Sequence, residues 1–119
     1  MWNIPDEQVL KKIPRLYKTD QVEAEEKLIY LHFFVAGSDW FITEYDGEDT
    51  FFGFACLNGM KEFAEWGSIS FKELKDLRVE QPIIVNGKRG IVLLEVDCDK
   101  YWGVRRAKDV PFICECQRW

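Results

Sequence analysis

The chain has a single histidine, His32. A zinc site of the usual His-rich kind is therefore excluded, and a histidine-dependent triad would have to use this one residue. No serine or cysteine is tied to it by a recognisable motif. No run of about 18 or more apolar residues is present, so no segment reads as a membrane-spanning helix. The start, MWNIPDEQ, lacks the basic and apolar regions of a signal peptide, and a cytoplasmic home is expected. There is no glycine-rich phosphate loop, nucleophile elbow or kinase-type motif. Positive charge is also in deficit: the net charge is −5, and the whole of the acidic excess lies in residues 1–60. Binding to nucleic acid or to an anionic membrane needs the opposite sign, so both are disfavoured and a protein with a basic patch is favoured.

What is abundant is aromatic and acidic. Aromatics make up 15% of the chain, and hydrophobic residues make up 47%. At 119 residues this suits one domain, residues 1–119, with a core that needs no staples. The four cysteines, Cys56, Cys98, Cys114 and Cys116, read as reduced thiols given the absence of a secretory signal. Cys98 with Cys114-x-Cys116 offers three thiols to a metal, but that spacing is narrower than structural zinc sites use, and a C-x-C in a strand aligns its thiols simply through the period of two. No metal or cofactor is expected.

The densest signal is Ser38 to Leu57, SDWFITEYDGEDTFFGFACL. Aromatic and β-branched runs on either side of a Gly/Asp cluster predict two antiparallel strands. A two-residue turn at Asp46-Gly47 would set Glu44 across from Asp49, and like charges so placed repel. A four-residue loop, Asp46 to Asp49, avoids this. It sets Trp40 against Ala55, Phe41 against Phe54, Ile42 against Gly53 and Thr43 against Phe52.

Lys27 to Ala36 supplies the third strand of a meander, with Val35 expected to pair with Trp40. Alternation then sorts the strands into two faces. Ile29, Leu31, Phe33, Val35, Trp40, Ile42, Phe51, Gly53, Ala55 and Leu57 make the core face, with Glu44 as its one charge. Tyr30, His32, Phe34, Phe41, Thr43, Tyr45, Phe52 and Phe54 make a candidate working surface.

Elsewhere, Pro5 to Lys12 predicts a short helix, and Asp20 with Glu23 opens a helical turn through Glu26. Met60 to Trp66 reads as a short helix or an irregular arm. Ser70 and Glu73 cap the helix SFKELKDL. Asn86-Gly87 closes a hairpin between Pro82–Val85 and Gly90–Val96. Ala107 to Val110 suggests a turn of helix, and the last residues are too few to assign. Lys88-Arg89 and Arg105-Arg106 read as solvated basic pairs. The expected fold is α+β: a mainly antiparallel sheet, built from the three-strand meander plus the C-terminal hairpin, with two or three short helices packed on one face.

The strings IPRLYKTD, YLHFF, SDWFITEYDGEDTFFGF, SFKELKDL and VDCDKYWGVRRAKDV resemble a family of small proteins of bacteria, plasmids and phages, the domain of unknown function family 2958. The resemblance spans about Ile13 to Val110. It implies an α+β, cytoplasmic, mobile-element protein and no catalytic residue.

Two functional expectations follow. In the first, the chain is a non-enzymatic protein-binding module, an inhibitor of a host or rival defence system, in which Tyr45, Asp46, Glu48, Asp49 and Thr50 meet a basic partner. In the second, it is an enzyme or small-ligand binder with a pocket near Tyr30, His32, Thr43 and Tyr45. A toxin immunity protein is a third role compatible with a small acidic chain. The Asp46–Asp49 carboxylates lack the length and spacing of an EF-hand, and their plainest role is to keep the end of a hairpin solvated.

Overall fold

The computed structural model describes residues 1–119. Nine strands and three short helices follow one another along the chain: α1 (Glu7–Lys12), β1 (Leu28–Ile29), β2 (Leu31–Val35), β3 (Ser38–Tyr45), β4 (Thr50–Cys56), β5 (Glu65–Ser70), α2 (Phe71–Asp76), β6 (Arg78–Val85), β7 (Lys88–Glu95), β8 (Asp97–Cys98), β9 (Arg105–Arg106) and α3 (Pro111–Gln117). Five of the strands form one antiparallel sheet in the order β5-β4-β3-β2-β8; β1 pairs with β9, and β6 pairs only with β7. The α+β architecture with a meander and a later hairpin is as the sequence predicts.

Helix ends follow local chemistry. The Asp6 carboxylate accepts the Gln8 N–H at 2.7 Å to start α1 at Glu7, two residues later than Pro5 suggested. Ser70 Oγ accepts the Glu73 N–H at 3.1 Å to start α2. Asp20 to Glu26 shortens to a 3-10 turn over Ala24–Glu26, and Ala107–Asp109 forms another. Met60 to Trp66 resolves into a 3-10 turn, Lys61–Phe63, followed by β5. The final residues form α3, with Pro111 in its first turn, where its missing N–H costs nothing.

The meander register is partly as expected. Trp40 faces Ala55, Phe41 faces Phe54 and Ile42 faces Gly53, but a bulge at Thr43 then shifts the pairing, so that Glu44 faces Phe52 and Tyr45 faces Phe51. The extra residue turns everything beyond it to the opposite face. Tyr45 therefore enters the core, 7% exposed, and Glu44 points to the other side of the sheet. In the β2–β3 hairpin Val35 pairs with Ser38 and Phe33 with Trp40, where Val35 against Trp40 was expected. That displacement is two residues, which preserves every side chain's face.

Both faces of the sheet are covered. Leu10 of α1 and Phe71 and Leu74 of α2 close the first over Leu31, Phe33, Trp40, Ile42, Tyr45 and Phe51. Ala107, Val110 and Ile113 close the second over Ile29, Phe41 and Phe54. The expected working surface is therefore largely a second, smaller core, and the third helix lies on the face opposite the other two. The chain breaks step at Tyr30, between β1 and β2, which sends Ile29 to the second core and lets Tyr30 pack against the first.

The ribbon β6–β7 departs from this two-layer body. The radius of gyration is 15.3 Å, against about 13.5 Å for a compact domain of this length, and the longest dimension reaches 54 Å. Only its base is anchored, where Val79 and Leu94 pack against the main core.

Candidate functional site

The acidic loop is built to hold itself. Asp46 Oδ1 accepts the backbone N–H groups of Glu48 at 2.7 Å, Asp49 at 2.8 Å and Thr50 at 3.0 Å. These donors, Glu48 foremost, hold its carboxyl below the usual range. Asp49 reaches across to the next helix: Oδ2 accepts Ser70 Oγ at 2.7 Å and Oδ1 accepts the Lys72 N–H at 2.6 Å. Gly47 takes φ +88, with the Arg15 guanidinium packed against it. Of the residues expected to meet a partner here, Asp46 and Asp49 are engaged internally, Tyr45 lies in the core and Thr50 is half-buried at the start of β4; Glu48 alone presents a free carboxylate.

Glu44 is the sheet's buried anion, 3% exposed. Its carboxylate accepts the backbone N–H of Tyr17 at 2.9 Å and of Thr19 at 3.0 Å, and also the Thr19 hydroxyl. Lys27 Nζ donates to the Thr19 carbonyl at 2.6 Å and to its hydroxyl at 2.9 Å. The turn holding Tyr17 at φ +70 is thereby pinned to the sheet. No signal local to the meander announces this role, because the donors lie some 25 residues earlier in the chain.

The expected pocket of Tyr30, His32, Thr43 and Tyr45 is not assembled. Tyr30 and Tyr45 pack on the main core, and burial raises the phenol of each. Thr43 is fully enclosed at the bulge, its hydroxyl unpartnered. His32 stacks on Phe41 with ring centroids 4.5 Å apart and sits against Trp102, on the second face. Its Nε2 lies 2.8 Å from Asp39 Oδ1, and its Nδ1 lies 3.6 Å from Asp99 Oδ2. This histidine joins β2, β3 and the segment after β8, with no nucleophile beside it.

The cysteines are all free. Cys114 and Cys116 lie on a helix, where a spacing of two does not share a face, and Cys98 lies in the main core on the other side of the sheet. Burial pushes the Cys98 thiol up to about 12 and the Cys116 thiol up to about 11.

Six of the exposed large apolar side chains lie together on the ribbon. Two eight-residue strands, paired from Arg78↔Glu95 to Val85↔Lys88, carry Ile84 at 73% exposure, Ile91 at 64% and Leu93 at 59% on one face, with Ile83, Val85 and Val92 exposed on the other. Val85↔Lys88 closes the two-residue Asn86-Gly87 turn, so Pro82 stands where the strand's N–H would point outward. That explains how a proline is tolerated in β6, and it leaves the outer edge of β7 as the complete one. The sequence did carry a signal: Ile83-Ile84-Val85 and Ile91-Val92-Leu93-Leu94 are continuous apolar runs, which strands buried on both faces show.

Near the ribbon's base, α2 and the sheet face of β3, β4 and β5 border a groove of about 390 Å³, lined by Trp40, Ala55, Leu57, Ile69, Leu74 and Leu77, with Glu65 and Glu73 also on its wall. No protein-family model, curated protein or solved structure matches the chain.

Proposed function

We propose that this chain is a non-enzymatic protein-binding module whose contact element is the β6–β7 ribbon. The observation that carries the reading is the exposure of Ile84, Ile91 and Leu93 on a ribbon that pairs with no other strand. Two-stranded ribbons alone in water are marginal, and contiguous exposed apolar surface marks interaction sites. The unpaired outer edge of β7 adds main-chain donors and acceptors, which gives a partner affinity as well as apolar contact. The acidic loop has a different part in this reading: Asp46 and Asp49 brace the body that holds the ribbon. The enzymatic alternative loses its expected pocket, because Tyr30, His32, Thr43 and Tyr45 do not converge.

The test compares immobilised wild-type protein with the Ile84→Glu, Ile91→Glu double variant for proteins captured from bacterial lysate supplemented with a tagged copy of the wild-type chain. Both side chains are solvent-facing, so the variant should fold with the wild-type circular-dichroism spectrum, and it should lose what the wild type retains. Identical capture by the two would overturn the ribbon's role.

A further inference from the structure

We infer that the ribbon's partner is a second copy of this chain, and that the ribbon of each copy docks in the groove between β5 and α2 of the other. The inference rests on the ribbon being the binding element, and adds the identity of what it binds.

Three features of the surface match. The first is charge. The ribbon's tip carries Lys88 and Arg89, both exposed and in no ion pair, although the chain as a whole is acidic. The groove carries Glu65 and Glu73, also exposed and in no ion pair. Arg89 shares a ribbon face with Ile84, Ile91 and Leu93, so the side chains that would fill an apolar groove arrive together with the charge that would meet its carboxylates.

The second is hydrogen bonding. β5 is the terminal strand of the five-stranded sheet, and its outer edge is unpaired. β7 has the intact outer edge of the ribbon, since Pro82 interrupts the edge of β6. Joining β7 of one copy to β5 of the other extends the sheet and satisfies both edges.

The third is placement. Leu77 lines the groove, and Arg78 begins the ribbon. Donor and acceptor surfaces are adjacent on each chain, so one two-fold axis beside them makes both contacts at once. A reciprocal exchange of this kind closes at two copies, whereas a one-way contact would continue into filaments.

The experiment is sedimentation equilibrium on the full chain at moderate salt. Wild type should sediment as a species of twice 14.1 kDa at micromolar concentration. Glu65→Lys with Glu73→Lys reverses the groove; Lys88→Glu with Arg89→Glu reverses the ribbon. Each variant alone should weaken association by roughly ten-fold or more. An equimolar mixture of the two should recover it, because each ribbon then meets a groove of opposite sign. A photo-crosslinking residue at position 91 should link to peptides spanning residues 65–77 of a differently labelled copy, which reads the contact without any charge reversal. A wild type that stays monomeric would overturn the exchange. So would a dimer indifferent to both reversals, or one whose crosslinks fall elsewhere. A monomer whose lysate capture still depends on Ile84 and Ile91 would remove the second copy and leave the ribbon as a binding element for another protein.

Discussion

Glu44 accepts the backbone N–H of Tyr17 at 2.9 Å, across 27 positions of sequence, from a carboxylate that is almost wholly buried. The bulge at Thr43 is what makes this contact, since without it Glu44 would face the main core and Tyr45 the opposite side. One inserted residue thus decides which of two neighbours becomes core and which becomes a clamp for the N-terminal arm.

Removing that clamp should be expensive. Glu44→Ala strips an ionised acceptor from two backbone N–H groups and a hydroxyl, and hydrogen bonds to charged groups contribute about 1.5 to 3 kcal/mol each before the cost of stranded donors. A loss of about 3 kcal/mol or more in urea unfolding is expected, with Glu44→Gln intermediate. A loss under about 1 kcal/mol would mean that the arm is held elsewhere.

Trp40→Ala and Tyr45→Ala should cost similar amounts, about 3 to 5 kcal/mol each, because both side chains belong to the main core. A small loss for Tyr45→Ala in chemical denaturation, beside a large one for Trp40→Ala, would contradict the packing of Tyr45 against Phe51 in the main core.

Gly53→Ala should be among the most damaging single substitutions in the chain. A Cβ there would overlap the backbone carbonyl of Phe41 on the neighbouring strand, and backbone cannot step aside as a flexible side chain can. Expression and thermal midpoint report the outcome; a variant within a few degrees of wild type would contradict the close approach of β3 and β4.

Asp46 makes stability depend on acid. Its folded-state pKa is depressed, chiefly by the Glu48 N–H. The stabilisation is therefore complete above the unfolded carboxylate value of about 3.9 and disappears as pH falls through the lower folded value. Asp46→Asn should be less stable than wild type at neutral pH and should converge with it in acid. Parallel curves down to the acid limit would show that the loop does not bind this carboxylate.

The fold was legible where local chemistry suffices. Ser70 and Glu73 mark the start of α2, Asn86-Gly87 marks the ribbon's turn, and strand alternation sorted Phe33, Trp40 and Ile42 from Phe41 and Phe54 even where the β2–β3 register moved, because a two-residue shift leaves parity unchanged. Tertiary structure decided the rest. A bulge is an odd-numbered insertion that local propensity does not reveal, so Glu44 and Tyr45 exchanged faces. The aromatic surface was covered by α3, whose existence depends on packing Ile113 into the second core more than on the weak propensity of a seven-residue helix. The runs Ile83–Val85 and Ile91–Leu94 showed by composition alone that two strand faces require cover. Whether that cover comes from the same chain is a question of spatial arrangement, and in this fold the body supplies it only at Val79 and Leu94, leaving the outer apolar faces of the ribbon bare.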